Sequence, residues 1–197
     1  MNTTQFNIHF SLQTLTNHIV SPPKELRSRK AAVLVPLLEV DGELQLLLTK
    51  RALHLRAHPG QFSFPGGKVD KQDSSMIFTA LREAEEEIAL LPENVDVIGT
   101  FPPHTTFTGF EITPVIGIVK QPFEIALDPG EVAEAFWVPL KHFLNPKNRH
   151  SIQYQRHGSF YDVHYMPYQG KFIWGVTAAI INLLCCHLNN SANVFNG

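Results

Sequence analysis

Cysteine is scarce in this chain: two among 197 residues, adjacent at Cys185-Cys186. Neighbouring cysteines on an expected helix make no disulfide framework, so both are expected to be reduced, buried small residues of a cytoplasmic protein. Positive charge is scarce too. Lys and Arg number 16 against 18 Asp and Glu, a formal net charge of −2, which offers no basic field to a long nucleic acid. The N-terminus lacks a basic segment followed by an apolar core, so no signal peptide is expected. The apolar stretch 173–188 carries Thr177 and Asn182 and is too short for a membrane span. The 10 His include no pair at a zinc-site spacing.

What remains is an ordinary globular composition, 44% hydrophobic and 17% charged, with no internal repeat. Residues 1–197 are expected to form a single domain. Its core spans about 30–188, with 1–23 an N-terminal extension and 189–197 a loose tail.

The most informative stretch is 64–90. It opens with Phe64-Pro65-Gly66-Gly67-Lys68 and closes with Arg82-Glu83-Ala84-Glu85-Glu86-Glu87-Ile88-Ala89-Leu90. Asp70, Asp73, Ser74 and Ser75 are residues that start a helix. Ile77, Leu81, Ala84 and Ile88 then form the apolar stripe of an amphipathic helix. At about 100° per residue, Glu83, Glu86 and Glu87 share another face and Glu85 points elsewhere. Stacked carboxylates repel one another, and a hard divalent cation is what would reward them. A solvated acidic face is the plainer meaning of a Glu run taken alone.

Gly67, Asp73, Arg82-Glu83-Ala84-Glu85-Glu86-Glu87 and Leu90 resemble the Nudix box, Gly-x5-Glu-x7-Arg-Glu-U-x-Glu-Glu-x-Gly-U, with U aliphatic. Asp73 stands for the first Glu, with eight residues instead of seven before Arg82, and Ala89 stands for the late Gly. Directly upstream, Leu47-Leu48-Thr49, Arg51-Ala52, Arg56, Gly60 and Phe64-Pro65-Gly66-Gly67 resemble the pattern of the coenzyme A branch of Nudix hydrolases, every specified position filled.

The resemblance implies an α+β fold, the Nudix α/β/α sandwich with a mixed sheet. It implies metal-dependent hydrolysis of the diphosphate of coenzyme A or acyl-CoA, yielding 3′-phosphoadenosine 5′-phosphate and (acyl-)4′-phosphopantetheine. Glu83, Glu86 and Glu87 would hold Mg²⁺ or Mn²⁺, and Glu86 is also the candidate base. Arg82 would orient a box glutamate, and Gly66 and Gly67 would let the backbone approach substrate closely. Arg51 and Arg56 are candidate phosphate ligands, Arg56 the favoured one. The rival readings are a general nucleoside diphosphate-X hydrolase, acting on ADP-ribose or dinucleotides, and a non-catalytic nucleotide-binding module. The expected partner is a small molecule, with neither nucleic acid nor membrane.

Elsewhere, residues 6–19 have helical spacing closed by Pro22-Pro23, a packing or dimer helix that leaves a homodimer open. Residues 31–40, Asp41-Gly42 and 44–49 predict a hairpin. Strands are expected at 95–101, 112–119 and 131–138, a short helix at 139–144, and a hairpin of 151–157 with 160–168. A closing helix is expected over 172–188, with Trp174, Ala178, Ile181, Leu184 and Cys185 on one face. His104 is a loop base candidate and Glu131 and Glu134 are candidate extra acids, each weighed against ordinary surface roles. The aromatics Tyr154, Phe160, Tyr161, Tyr165 and Tyr168 are candidates for stacking on adenine or for packing.

Overall fold

The computed structural model describes residues 1–12, 29–106, 108–156 and 158–192. Its central sheet starts from the expected hairpin. Strands β1 (Arg29–Val40) and β2 (Glu43–Arg51) pair antiparallel, with Val40 opposite Glu43. Between them Asp41 and Gly42 take φ of 50° and 77°, the two left-handed residues that a tight hairpin turn requires.

Two short strands that no pattern in the sequence announces follow, β3 (Phe62–Ser63) and β4 (Gly66–Lys68). The sheet is completed by β5 (Val95–Thr100), β6 (His104–Thr105), β7 (Phe110–Val119) and β8 (Val132–Pro139). The order is β3-β2-β1-β7-β5, with β4 on β1, β6 on β7 and β8 on β2. β1 and β7 run parallel from Arg29 opposite Phe110 to Leu38 opposite Val119, and the other pairings are antiparallel. A three-stranded sheet in the order β11-β10-β9 lies outside it, built from β9 (His150–Arg156), β10 (Ser159–Tyr168) and β11 (Lys171–Trp174).

Alternation along β1 feeds two cores. Ala32, Leu34 and Leu38 point to helix α2 (Met76–Ile88), meeting Ala80, Ala84 and Ile88. Val35 and Leu37 point the other way, into a core shared with Leu44, Leu46, Leu48, Met166 and Ile173. Helices α1 (Thr3–Ser11), α3 (Leu140–Leu144) and α4 (Val176–Ala192) line that side through Phe6, Phe143 and Ile181. The architecture is the α/β/α sandwich with a mixed sheet. Among the described residues no helix is long and apolar enough to cross a membrane.

Three expectations are corrected. First, α1 starts at Thr3, where Asn2 and Gln5 cap each other reciprocally, and ends at Ser11. Its Phe6 and Phe10 are buried within the chain, so it packs intramolecularly. Residues 13–19 and Pro22-Pro23 lie outside the described residues.

Second, the buried stripe of α2 is rotated from the expected one. Thr79, Ala80, Ala84, Glu87 and Ile88 are buried, Leu81 is half-buried and Ile77 is exposed. Ala80 and Ala84 have no bulk beyond Cβ, so the helix lies close on β1, and that contact sets its rotation.

Third, residues 171–174 form a strand. Gln169 and Gly170, with φ of 46° and 77°, turn the chain back on β10. Ile173 is buried while Phe172 and Trp174 are exposed, a period of two that rules out the expected helical face at Trp174. Ala178, Ile181, Leu184 and Cys185 are buried as expected. α4 continues to Ala192, so residues 189–192, expected in the tail, are helical.

Ala89 closes α2 in the left-handed region, φ 56° and ψ 29°, with its N–H on the carbonyls of Ala84 and Glu85. A side chain is strained there and glycine is not. Ala89→Gly is therefore expected to raise unfolding free energy by about 1 kcal/mol after the added entropy of the unfolded chain is counted, measured by urea denaturation.

Candidate active site

Ser75 starts α2, its hydroxyl accepting from the Phe78 N–H at 3.1 Å. Two turns further, the Arg82 guanidinium gathers acids from three directions. Nε and Nη2 donate to the two oxygens of Asp73 at 3.0 and 3.1 Å. Nη2 also meets Glu83 Oε1 at 2.8 Å and the Lys68 carbonyl at 3.3 Å, and Nη1 meets Glu86 Oε2 at 2.8 Å.

Asp73, its side chain 1% exposed, also accepts from the Thr79 hydroxyl and the Asp70 N–H, both at 2.8 Å. Arg82 above all holds the Asp73 carboxyl far below the usual range; burial opposes, and the Asp70 and Thr79 donors assist. Asp73 is thus the counter-ion that fixes Arg82 in fork geometry. Its carboxylate is fully engaged on that side.

The remaining acids are less well compensated. Glu83 lies against Gly67, where an added Cβ would overlap its carboxylate. Burial raises the Glu83 pKa, Arg82 opposes, and Glu86 and Glu131 add repulsion. Glu87 is 4% exposed. Burial first, then repulsion from Glu131 and Glu83, pushes its carboxyl up to about 8, against the pull of Arg51 and of the Gly66 N–H that it accepts. Glu86 and Glu85 are exposed, and Glu85 has no ion pair among the described residues.

With Arg82 also engaged by Asp73, the acids Glu83, Glu87 and Glu131 repel one another, Glu86 adds to the repulsion on Glu83, and Arg51 is the cation that acts on Glu87. Hard oxygen donors with surplus negative charge, beside a side-chain-free backbone at Gly67, fit a divalent cation. Among the described residues no three His, Cys, Asp or Glu already enclose one point, since Glu83 and Glu86 lie on Arg82.

The sequence pattern of the NUDIX domain family matches residues 28–156. The chain belongs to the Nudix hydrolase family. It is 46% identical over 163 residues to a protein of Enterobacter sp. (strain 638) named Nudix hydrolase NudL and described as uncharacterized, covering 83% of this chain and 84% of that one. A NudL of Escherichia coli (strain SMS-3-5 / SECEC) is 42% identical over 163 residues, covering 83% and 84%. A MutT/nudix family protein of Enterococcus faecalis has the same fold at a TM-score of 0.53 and 16% identity, covering 96% of this chain and 75% of that one.

In this Nudix hydrolase the upstream motif is joined to the acidic helix by backbone bonds. Arg51, at the end of β2, exchanges bonds with the Gln61 carbonyl and the Gly60 N–H at 2.9 and 3.1 Å, and its Nε meets the Ala57 carbonyl at 3.3 Å. The Ala52 N–H donates to the Glu131 carbonyl at 2.8 Å, His54 bonds the Gly130 carbonyl at 3.1 Å, and the Asp128 N–H donates to the Glu87 carbonyl at 3.1 Å. The loop 52–61, the turn 128–131 and α2 thus form one connected wall. Arg56 stands exposed on that loop with no hydrogen bond or ion pair among the described residues.

Glu131 joins the acids of α2 electrostatically. Glu134 instead pairs with Lys171. Burial above all lowers the His104 pKa, and the neighbouring His164 lowers it further. The aromatics are divided between the faces of the outer sheet: Tyr154, Tyr161 and Tyr165 share one, and Phe160 and Tyr168 are on the other.

The raised pKa of Glu87 has a definite sign. In the folded protein its carboxyl keeps a proton that the unfolded chain has released, from about pH 4.5 up to about 8. Its contribution to stability is therefore lost as pH rises through that window. In chelator, Glu87→Gln is expected to unfold at higher denaturant than wild type at pH 8, by more than about 1 kcal/mol, and the gain is expected to shrink toward pH 5. A gain that is equal at both pH values contradicts the assignment.

Proposed function

We propose that this Nudix hydrolase cleaves the diphosphate of coenzyme A or an acyl-CoA, giving 3′-phosphoadenosine 5′-phosphate and (acyl-)4′-phosphopantetheine. The observation that carries the reading is the connected wall. The upstream motif, Leu47 to Gly67, is tied through Ala52 and His54 to the turn that holds Glu131, and its Gly66-Gly67 end lies against Glu83 and Glu87. Arg56 is left unpaired on the same loop, available to a phosphate.

In this reading Glu83, Glu86 and Glu87 would hold Mg²⁺ or Mn²⁺, which would supply positive charge to offset the phosphate oxygens. Arg51 adds fixed positive charge at the same place. Glu86 is exposed and reaches solvent, so it is the residue placed to take the proton of the attacking water. The water oxygen bonds to phosphorus, the bridging P–O bond breaks, and the leaving phosphate departs in line. Arg82 is a positioning residue, holding Glu83 and Glu86. The presence of all three box glutamates argues against a non-catalytic module. Residues 1–197 act as one domain in the cytoplasm, consistent with two free cysteines.

Chelator is expected to abolish turnover, and Glu86→Gln to lower kcat at least about a hundredfold, the scale of one acid–base or electrostatic contribution. Glu85→Gln is expected to be nearly silent. Equal losses from the two variants contradict the roles assigned to them.

A substrate panel of CoA, acyl-CoA, dephospho-CoA, NADH, ADP-ribose and capped RNA tests the substrate class. Wild type is expected to prefer CoA to dephospho-CoA by about ten- to a hundredfold in kcat/KM, the worth of one charge-assisted contact. Arg56→Ala is expected to erase that preference while keeping much of the dephospho-CoA rate. Equal loss on both substrates moves Arg56 from the 3′-phosphate to the diphosphate or the loop fold. Faster turnover of ADP-ribose than of CoA replaces this reading with the general nucleoside diphosphate-X hydrolase.

A further inference from the structure

The outer three-stranded sheet has two unlike faces. On the inner one Met166 and Ile173, cross-strand partners, are fully buried in the core. On the outer one the register aligns Ile152 with Val163, and Tyr165 with Trp174, beside Tyr154 and Phe172. Ile152, Tyr154, Phe172 and Trp174 are 56%, 53%, 54% and 46% exposed. Tyr165 stacks between two neighbours, 5.4 Å from Phe172 and 5.0 Å from His150, so the face is ordered as well as apolar. None of these positions carries a formal charge.

We propose that a second copy of this chain docks on this face, sheet against sheet about a twofold axis. An uncharged aromatic face gives no electrostatic selection of a partner of opposite sign. A copy of the same face matches it in polarity and buries no unpaired charge, which is the condition for an isologous contact. Its composition, rich in Tyr, Trp and Phe, is that of interface centres. With aromatic side chains of about 150–250 Å² each, the exposed parts of Tyr154, Phe172 and Trp174 with Ile152 come to about 400 Å² per copy, or about 800 Å² for two, before Val163, Tyr165 and backbone bring it near the ~1,000 Å² of a specific interface. In α1, the other element weighed for dimerisation, Phe6 and Phe10 are buried inside the chain. The proposal does not depend on which diphosphate is hydrolysed.

Sedimentation velocity of the full chain over a concentration series tests it. Wild type is expected to sediment with twice the chain mass at micromolar concentration. Tyr154→Lys and Trp174→Lys, at exposed positions, are each expected to weaken association at least about tenfold, the loss of one interface anchor, with unchanged circular dichroism. Phe160→Lys, on the opposite face of β10, is expected to leave the dimer intact. A wild type that stays monomeric throughout overturns the proposal. So does a dimer that survives both face substitutions, or one that only Phe160→Lys dissociates. Should the Lys variants unfold, hydrogen exchange of wild-type β9–β11 decides instead: amide protection must rise with protein concentration, and protection independent of it overturns the proposal.

Discussion

A row of glutamates on one helix face repels itself, and the site depends on how Arg82 answers that repulsion. Its guanidinium spends a fork on Asp73 and single bonds on Glu83, Glu86 and the Lys68 carbonyl. The Lys68 bond ties α2 to β4, and the Asp73 bond ties it to the connecting loop. The charge that steadies the acids therefore also fixes the helix against the sheet. Asp73 is closed to solvent and saturated with donors, so it keeps Arg82 from neutralising the acids completely. That leaves Glu87 and Glu83 short of positive charge at the place where the backbone is bare of side chains.

Packing supports the same arrangement from below. Ala80 and Ala84 bring α2 down onto Ala32 and Leu34, and Gly67 leaves room for the Glu83 carboxylate. Larger side chains at any of these positions would lift the helix or displace the acid. Burying Glu87 beside two like charges costs stability, and the two cores on either side of β1 carry that cost. The site is an example of local destabilisation held in place by a well-packed frame.

Much of this was legible in residues. Asp41-Gly42 announced its hairpin because only a few residues tolerate two successive left-handed conformations, and the glutamate spacing announced the carboxylate face because 3.6 residues per turn leave no choice. The apolar stripe of α2 was misplaced because Ala is a poor hydrophobic marker: the side chain that packs closest is the one with least to hide. β3, β4 and β6 were invisible because strands of two or three residues have no period to display. The short apolar run at Phe172 and Trp174 suits either period, and the turn at Gln169-Gly170 decides for a strand. Glu131 could be separated from Glu134 only by knowing that β2 pairs with β8 and that Lys171 returns from beyond residue 170 to claim the latter.

The parallel pairing of β1 with β7 joins segments some eighty residues apart in the chain, and β4, which carries Gly67, is hydrogen-bonded to the same β1. Both glycines that frame the acids therefore rest on a strand whose other neighbour is synthesised much later. Closing so large a loop is entropically slow compared with forming a helix or a tight hairpin. The box and the upstream motif are contiguous in sequence and can be cut out as one short peptide, yet such a peptide holds the ligands without the frame. The chemistry is written locally, and it becomes competent only once a contact between distant parts of the chain has formed in the sheet.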